Sequence, residues 1–79
     1  MTATVEKSAW NYQVVRTWGS GGYWEKEYRP GYYTSKKEAI KALEYYGRGF
    51  VEASRHIITR LAYGGTGNRS ERKKVFELN

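Results

Sequence analysis

Residues 10 to 18 read WNYQVVRTW. Successive side chains of an extended strand point to opposite faces. Trp10, Tyr12, Val14, Arg16 and Trp18 therefore share one face, and Asn11, Gln13, Val15 and Thr17 the other. The aromatic and β-branched content predicts a strand, with most apolar surface on the Trp face and Val15 alone opposite. Gly19-Ser20-Gly21-Gly22 follows as a sterically unrestricted loop. Residues 23 to 29, YWEKEYR, resume the alternation: Trp24, Lys26 and Tyr28 on one face, Tyr23, Glu25, Glu27 and Arg29 on the other. Two such runs around a glycine connection predict a hairpin, held by cross-strand aromatic pairs.

The period then changes. Pro30-Gly31 turns the chain, and Tyr32-Tyr33 reads as a short third strand. Ser35 followed by Glu38 is a capping-box pattern and opens a helix over about 35–46. Ala39, Ile40 and Leu43 form its apolar face, while Lys36, Lys37, Lys41 and Glu44 face solvent. Gly47 is placed for a left-handed stop. Phe50, Ala53, Ile57, Ile58 and Leu61 recur at helical spacing and predict a second helix over about 50–62. HIITRLAY also alternates as a strand, and KKVFEL reads as another. On that alternative, residues 56–63 and 72–78 form a second hairpin around a loop at 64–70. Residues 1–8 are small, polar and unpatterned, and read as a flexible arm before a single domain over 9–79. The expected fold class is α+β: an antiparallel sheet of three to four strands packed on one clear helix, with a possible second helix at 50–62.

Seventy-nine residues fit one small domain. There is no cysteine, so neither a disulfide nor a thiolate metal site staples it. Three Trp, eight Tyr and two Phe must supply much of the core, and they leave aromatics over for recognition. The net charge of +6 favours a partner with a negative surface: nucleic acid, an acidic protein or anionic lipid. No apolar run approaches the roughly 20 residues of a membrane span. MTATVEKSAW lacks the basic and apolar regions of a signal peptide, so the expected location is the cytoplasm, with no membrane partner.

Catalytic chemistry finds little footing. GGTGNRS, residues 64–70, lacks the Gly-Lys-Ser/Thr of a phosphate loop and reads as a mobile glycine connection. His56 is the sole histidine, with no carboxylates spaced to share a metal. Nothing places Ser, His and acid as a triad. The expectation is a binding protein with no catalytic residue, cofactor, metal or small-molecule substrate. Glu25-Lys26-Glu27 reads as a charged strand edge that resists sheet-to-sheet pairing. The candidate contacts to nucleic acid or an acidic partner are basic: Arg16, Lys26 and Arg29 on the hairpin, Lys36 and Lys37 in the first helical turn, and Arg55, Arg69, Arg72, Lys73 and Lys74 beyond. Such cations fix a protein on phosphates, and interleaved aromatics on a small sheet suit base stacking.

The succession of a W-x-Y-x-V strand, a glycine turn, a second strand and then RPGYYTSKKEAIKAL resembles the AP2-like arm-type DNA-binding domain of phage integrases. The junction matches at Tyr33, Thr34, Lys36, Lys37, Glu38 and Ala39, and the likeness covers roughly residues 10–46. It implies a three-stranded sheet on one helix, with the sheet facing DNA through Gln13, Arg16, Tyr23, Lys26 and Arg29. In size and style the chain is also similar to bacteriophage accessory proteins. These include inhibitors of host restriction or CRISPR nucleases that act by protein–protein binding, which is the alternative functional expectation.

Overall fold

The computed structural model describes residues 4–79, as five strands and one helix in the order β1 (Thr4–Lys7), β2 (Asn11–Ser20), β3 (Tyr23–Tyr28), α1 (Lys36–Tyr46), β4 (Gly49–Arg60) and β5 (Thr66–Leu78). All pairings are antiparallel. β4 is the hub: β5 runs along one side of it, and β2 and β1 lie end to end along the other. β3 pairs the outer side of β2. The sheet curls into a half-barrel.

This architecture corrects the expected α+β balance. The molecule is mostly sheet, with one short helix. The second helix at 50–62 does not form: β4 occupies that stretch. Its residues satisfy both periods, and tertiary pairing decides between them. As a strand, Val51, Ala53 and Ile57 bury on one face, while the backbone is bonded on both sides. The hairpin β4–β5 is also longer than the strand alternative implied. Its turn is confined to residues 61–65, and Thr66 to Ser70 belong to β5 rather than to a mobile glycine loop. Thr4–Lys7 pair with Ile57–Arg60 as a strand, where an arm was expected over residues 1–8. The first three residues of that arm lie outside the described ones. Tyr33 contributes an isolated bridge to Tyr12 and not a third strand.

α1 covers one face of the sheet. Ala39 and Leu43 are fully buried against Val14 and Val51, with Tyr12, Ile40, Phe76 and Leu78 around them. Burying a leucine side chain contributes about 1.5–3 kcal/mol, so Leu43 is the main tie between helix and sheet. Ser35 takes the extended conformation of an N-cap, but its side chain makes no capping bond, so the capping box is not closed. Gly47 ends the helix at φ 80°, its N–H bonded to the carbonyls of Leu43 and Glu44. Two residues later Gly49 admits β4 under the helix. A Cβ there would lie 2.2 Å from the Val15 carbonyl oxygen and 2.9 Å from Leu43 Cδ1.

The radius of gyration is 16.4 Å, against about 12 Å for a compact chain of this length. The excess comes from β4 and β5, which continue past the helix with only β1 beside them. A bulge opposite Val51 and Glu52, which leaves Val75 unpaired on β5, shifts the alternation of β5 by one residue, so that Glu71 and Lys73 before it and Phe76 and Leu78 after it all fall on the helix side.

Candidate nucleic-acid interface

Strand register assigns every side chain of the sheet to one of two faces. The helix-side face carries Tyr12, Val14, Arg16 and Trp18 from β2, with Val51, Ala53 and Arg55 from β4. Glu25 and Glu27 of β3, and Glu71 and Lys73 of β5, fall on the same side. The opposite, open face has no helix over it. Across its middle run Tyr28, Val15, Phe50 and Glu77, paired in one row. Lys26 and Thr17 form the next row, and Trp24 stands opposite Gly19 beyond them. On the other side follow Gln13, Glu52 and Lys74, and then Asn11, Ser54 and Arg72.

Val15 is the least exposed residue of this open face, at 0 %. Its neighbours across the strands, Tyr28 and Phe50, flank it and form the apolar floor. Trp24, at 49 % exposed, and Tyr28, at 39 %, stay half open to solvent. The Trp24 indole N–H donates to the Gly21 carbonyl at 3.2 Å, which fixes the ring and uses its only donor. What the ring then offers outward is its π surface. Gly19 makes room for this arrangement: at φ 144° a Cβ would lie 2.1 Å from the Tyr23 carbonyl oxygen.

Cations cover these rings. The Arg48 guanidinium lies 4.8 Å from the Trp24 centroid, Lys26 Nζ 5.8 Å from Tyr28, and Lys74 Nζ 5.1 Å from Phe50. Each pair sits within the range of a cation–π attraction, roughly 0.5–1 kcal/mol at exposed sites. Between Trp24 and Phe50 the surface opens into a cavity of about 320 Å³, with Thr17, Arg48, Lys74, Glu77 and Asn79 completing its lining. Two carboxylates temper the charge. Glu52 takes a bond from the Tyr28 hydroxyl at 3.1 Å and lies 3.7 Å from Arg72. Glu77 pairs with Lys74 at 3.1 Å. Burial first, and then the bond to Glu52 and its charge, push the Tyr28 phenol above its ordinary value, against the opposing pull of Arg72. Among the described residues, Arg48 and Lys26 are in no ion pair.

The sequence-derived cations divide between the faces. Lys26, Arg72 and Lys74 belong to the open face. Arg16 and Arg29 converge on Glu27, at 3.3 and 2.7 Å, on the helix side. Bonds to Glu27 and then to Tyr46 hold the Arg29 guanidinium above its ordinary value. Arg55 pairs with Glu71 at 3.0 Å and stacks on Trp10 at 4.0 Å, with Lys73 at 4.7 Å from the same ring. Arg69 lies opposite Ile57 on the projecting ribbon, and Lys36 and Lys37 open α1, away from the open face. Of the five positions that the integrase-arm resemblance assigns to DNA, Gln13 and Lys26 share the open face, while Arg16, Tyr23 and Arg29 fall on the other side. Sequence reasoning passed over Arg48. It sits between two glycines, one ending a helix and one starting a strand, and only the fold carries it over Trp24. Among the described residues, no group of three His, Cys, Asp or Glu could hold a metal, and no helix is long and apolar enough to cross a membrane.

Comparison of the chain with protein-family models, curated proteins and solved structures finds no match.

Proposed function

We propose that this chain is a small, non-catalytic nucleic-acid-binding protein that works through its open sheet face. One observation carries the reading: Arg48 and Lys26, neither in an ion pair among the described residues, lie over the half-exposed rings of Trp24 and Tyr28. Cations that are not neutralised by carboxylates are available to phosphate, and flat π surfaces beside them are available to bases. Lys74 and Arg72 extend the same face across β5, each sharing its charge with one glutamate. An acidic protein surface would meet the same cations, but every nucleotide of a nucleic acid also carries a flat ring that can stack on Trp24 or Tyr28. For that reason the nucleic-acid reading ranks above a bacteriophage inhibitor that docks on a host nuclease. In either case the site of action is the cytoplasm, where a phage accessory protein meets its targets.

A gel-shift titration with mixed DNA and RNA at low salt tests the reading. Binding should weaken steeply as salt rises, through counterion release, with a slope of about −0.7 to −0.9 per phosphate neutralised. No shift at micromolar protein rules the function out.

A further inference from the structure

We propose that the open face takes single-stranded rather than duplex nucleic acid, with one unpaired base seated in the cavity between Trp24 and Phe50. This rests on the nucleic-acid reading above and narrows it. The argument begins with what Trp24 presents. Its N–H is committed to the Gly21 carbonyl, so the ring has no donor left to read a base edge in a groove. It can offer only its π face, which is half exposed and lies at the rim of a cavity of about 320 Å³. Bases inside a duplex have their faces covered by their neighbours, whereas unpaired bases can stack on an aromatic ring.

The shape of the face points the same way. The sheet is curled, with Tyr28 and Phe50 in one row across the middle of the open face and Trp24 beyond them, toward the turn of the β2–β3 hairpin. A protein entering the major groove uses a helix or ribbon that projects into it. Here the projecting ribbon of β1, β4 and β5 is a separate part of the molecule from the aromatic rows. Arg48 and Lys74 both line the cavity, over Trp24 and Phe50 respectively. A base between the two rings would therefore bring its flanking phosphates near two cations. Arg48 already occupies the position over Trp24 that a stacked base would take, so the guanidinium serves as an exchangeable cover in the free protein. Ribose and deoxyribose strands present the same faces and phosphates, and the test separates them.

The experiment is fluorescence anisotropy with dye-labelled mixed-sequence DNA and RNA strands of about ten nucleotides, each also presented as a duplex. Measurements at about 50 and 200 mM salt separate stacking from counterion release. The single strand should bind at least about tenfold tighter than the duplex, and Trp24→Leu should weaken it by about tenfold or more. Trp24→Tyr should restore most of that loss, which shows that the Leu variant failed through the missing ring. Trp18→Leu, on the helix side, should leave affinity unchanged. A duplex bound as tightly as the single strand, or a Trp24→Leu protein of unchanged affinity, overturns this inference while leaving nucleic-acid binding intact. Binding of neither form overturns both.

Discussion

The Arg48 guanidinium lies over the Trp24 ring, 4.8 Å from its centroid, although 24 residues separate them in sequence. The contact joins the link after α1 to the edge strand β3 across β2. If this pair sits in a nucleic-acid site, Arg48→Ala and Lys26→Ala should each weaken binding across all sequences. Each should also lower the salt slope by about one. Lys36→Ala and Lys37→Ala, on the helix, should change neither quantity by as much. Titrations at several salt concentrations check both halves.

The open-face carboxylates predict a gain of affinity. Glu77 lies 3.1 Å from Lys74 Nζ, and both side chains are about half exposed. An exposed pair of this kind contributes at most about 1 kcal/mol to stability. Glu77→Gln should therefore leave the melting temperature nearly unchanged while freeing Lys74 for phosphate. Affinity should rise severalfold and the salt slope should steepen by about 0.7–0.9. A variant that binds no better than the wild type would place Lys74 outside the site.

Two glycines two residues apart in sequence should respond differently to alanine. Gly49 has φ 148°, and a Cβ there meets the Val15 carbonyl oxygen at 2.2 Å. Gly49→Ala should destabilise by about 3 kcal/mol or more, the upper end of single substitutions. Gly47 has φ 80° but open space around it. Gly47→Ala should cost only the left-handed conformation, about 1–2 kcal/mol. Urea unfolding midpoints measure both. Leu43→Ala, which empties the helix–sheet contact, should cost about 2–5 kcal/mol by the same assay.

Tyr28 predicts an alkaline component of stability. Its phenol holds its proton more tightly in the folded chain, through burial and the Glu52 bond. A raised value stabilises fully below the unfolded pKa of about 10 and is lost as pH rises through the folded one. Tyr28→Phe removes this contribution. The variant should be less stable than the wild type at neutral pH, and the gap should narrow above about pH 10. Equal pH dependence of the two proteins would show that neither burial nor the Glu52 bond raises the Tyr28 phenol in the folded chain.

Much of the local structure is legible in the residues themselves. The alternation in residues 10–18 and 23–28 places each side chain on the face where the structure has it, and Gly47 stops the helix at the place its left-handed conformation requires. The fold class is not legible, and the cause lies in residues 50–61. Their apolar positions satisfy both a helical and a strand period, and only pairing with β1, β2 and β5 selects the strand. Val15 is similar. Alone on its face in the sequence, it becomes fully buried once Tyr28 and Phe50 arrive beside it. The candidate site followed the same division. Alternation alone puts Trp24, Lys26 and Tyr28 on one face, whereas the pairing of Arg16 and Arg29 with Glu27, and of Arg55 with Glu71, depends on strand register that the sequence does not display.

The central claim is that the open face, not the helix side, meets nucleic acid. The most direct measurement is NMR mapping of the labelled protein during titration with a short single strand. The account predicts that the largest shifts fall on the Trp24 indole N–H and on the backbone amides of Lys26, Tyr28, Arg48 and Phe50. Shifts confined to α1 and to the Trp10, Arg55 and Lys73 cluster, with Trp24 unmoved, would contradict it.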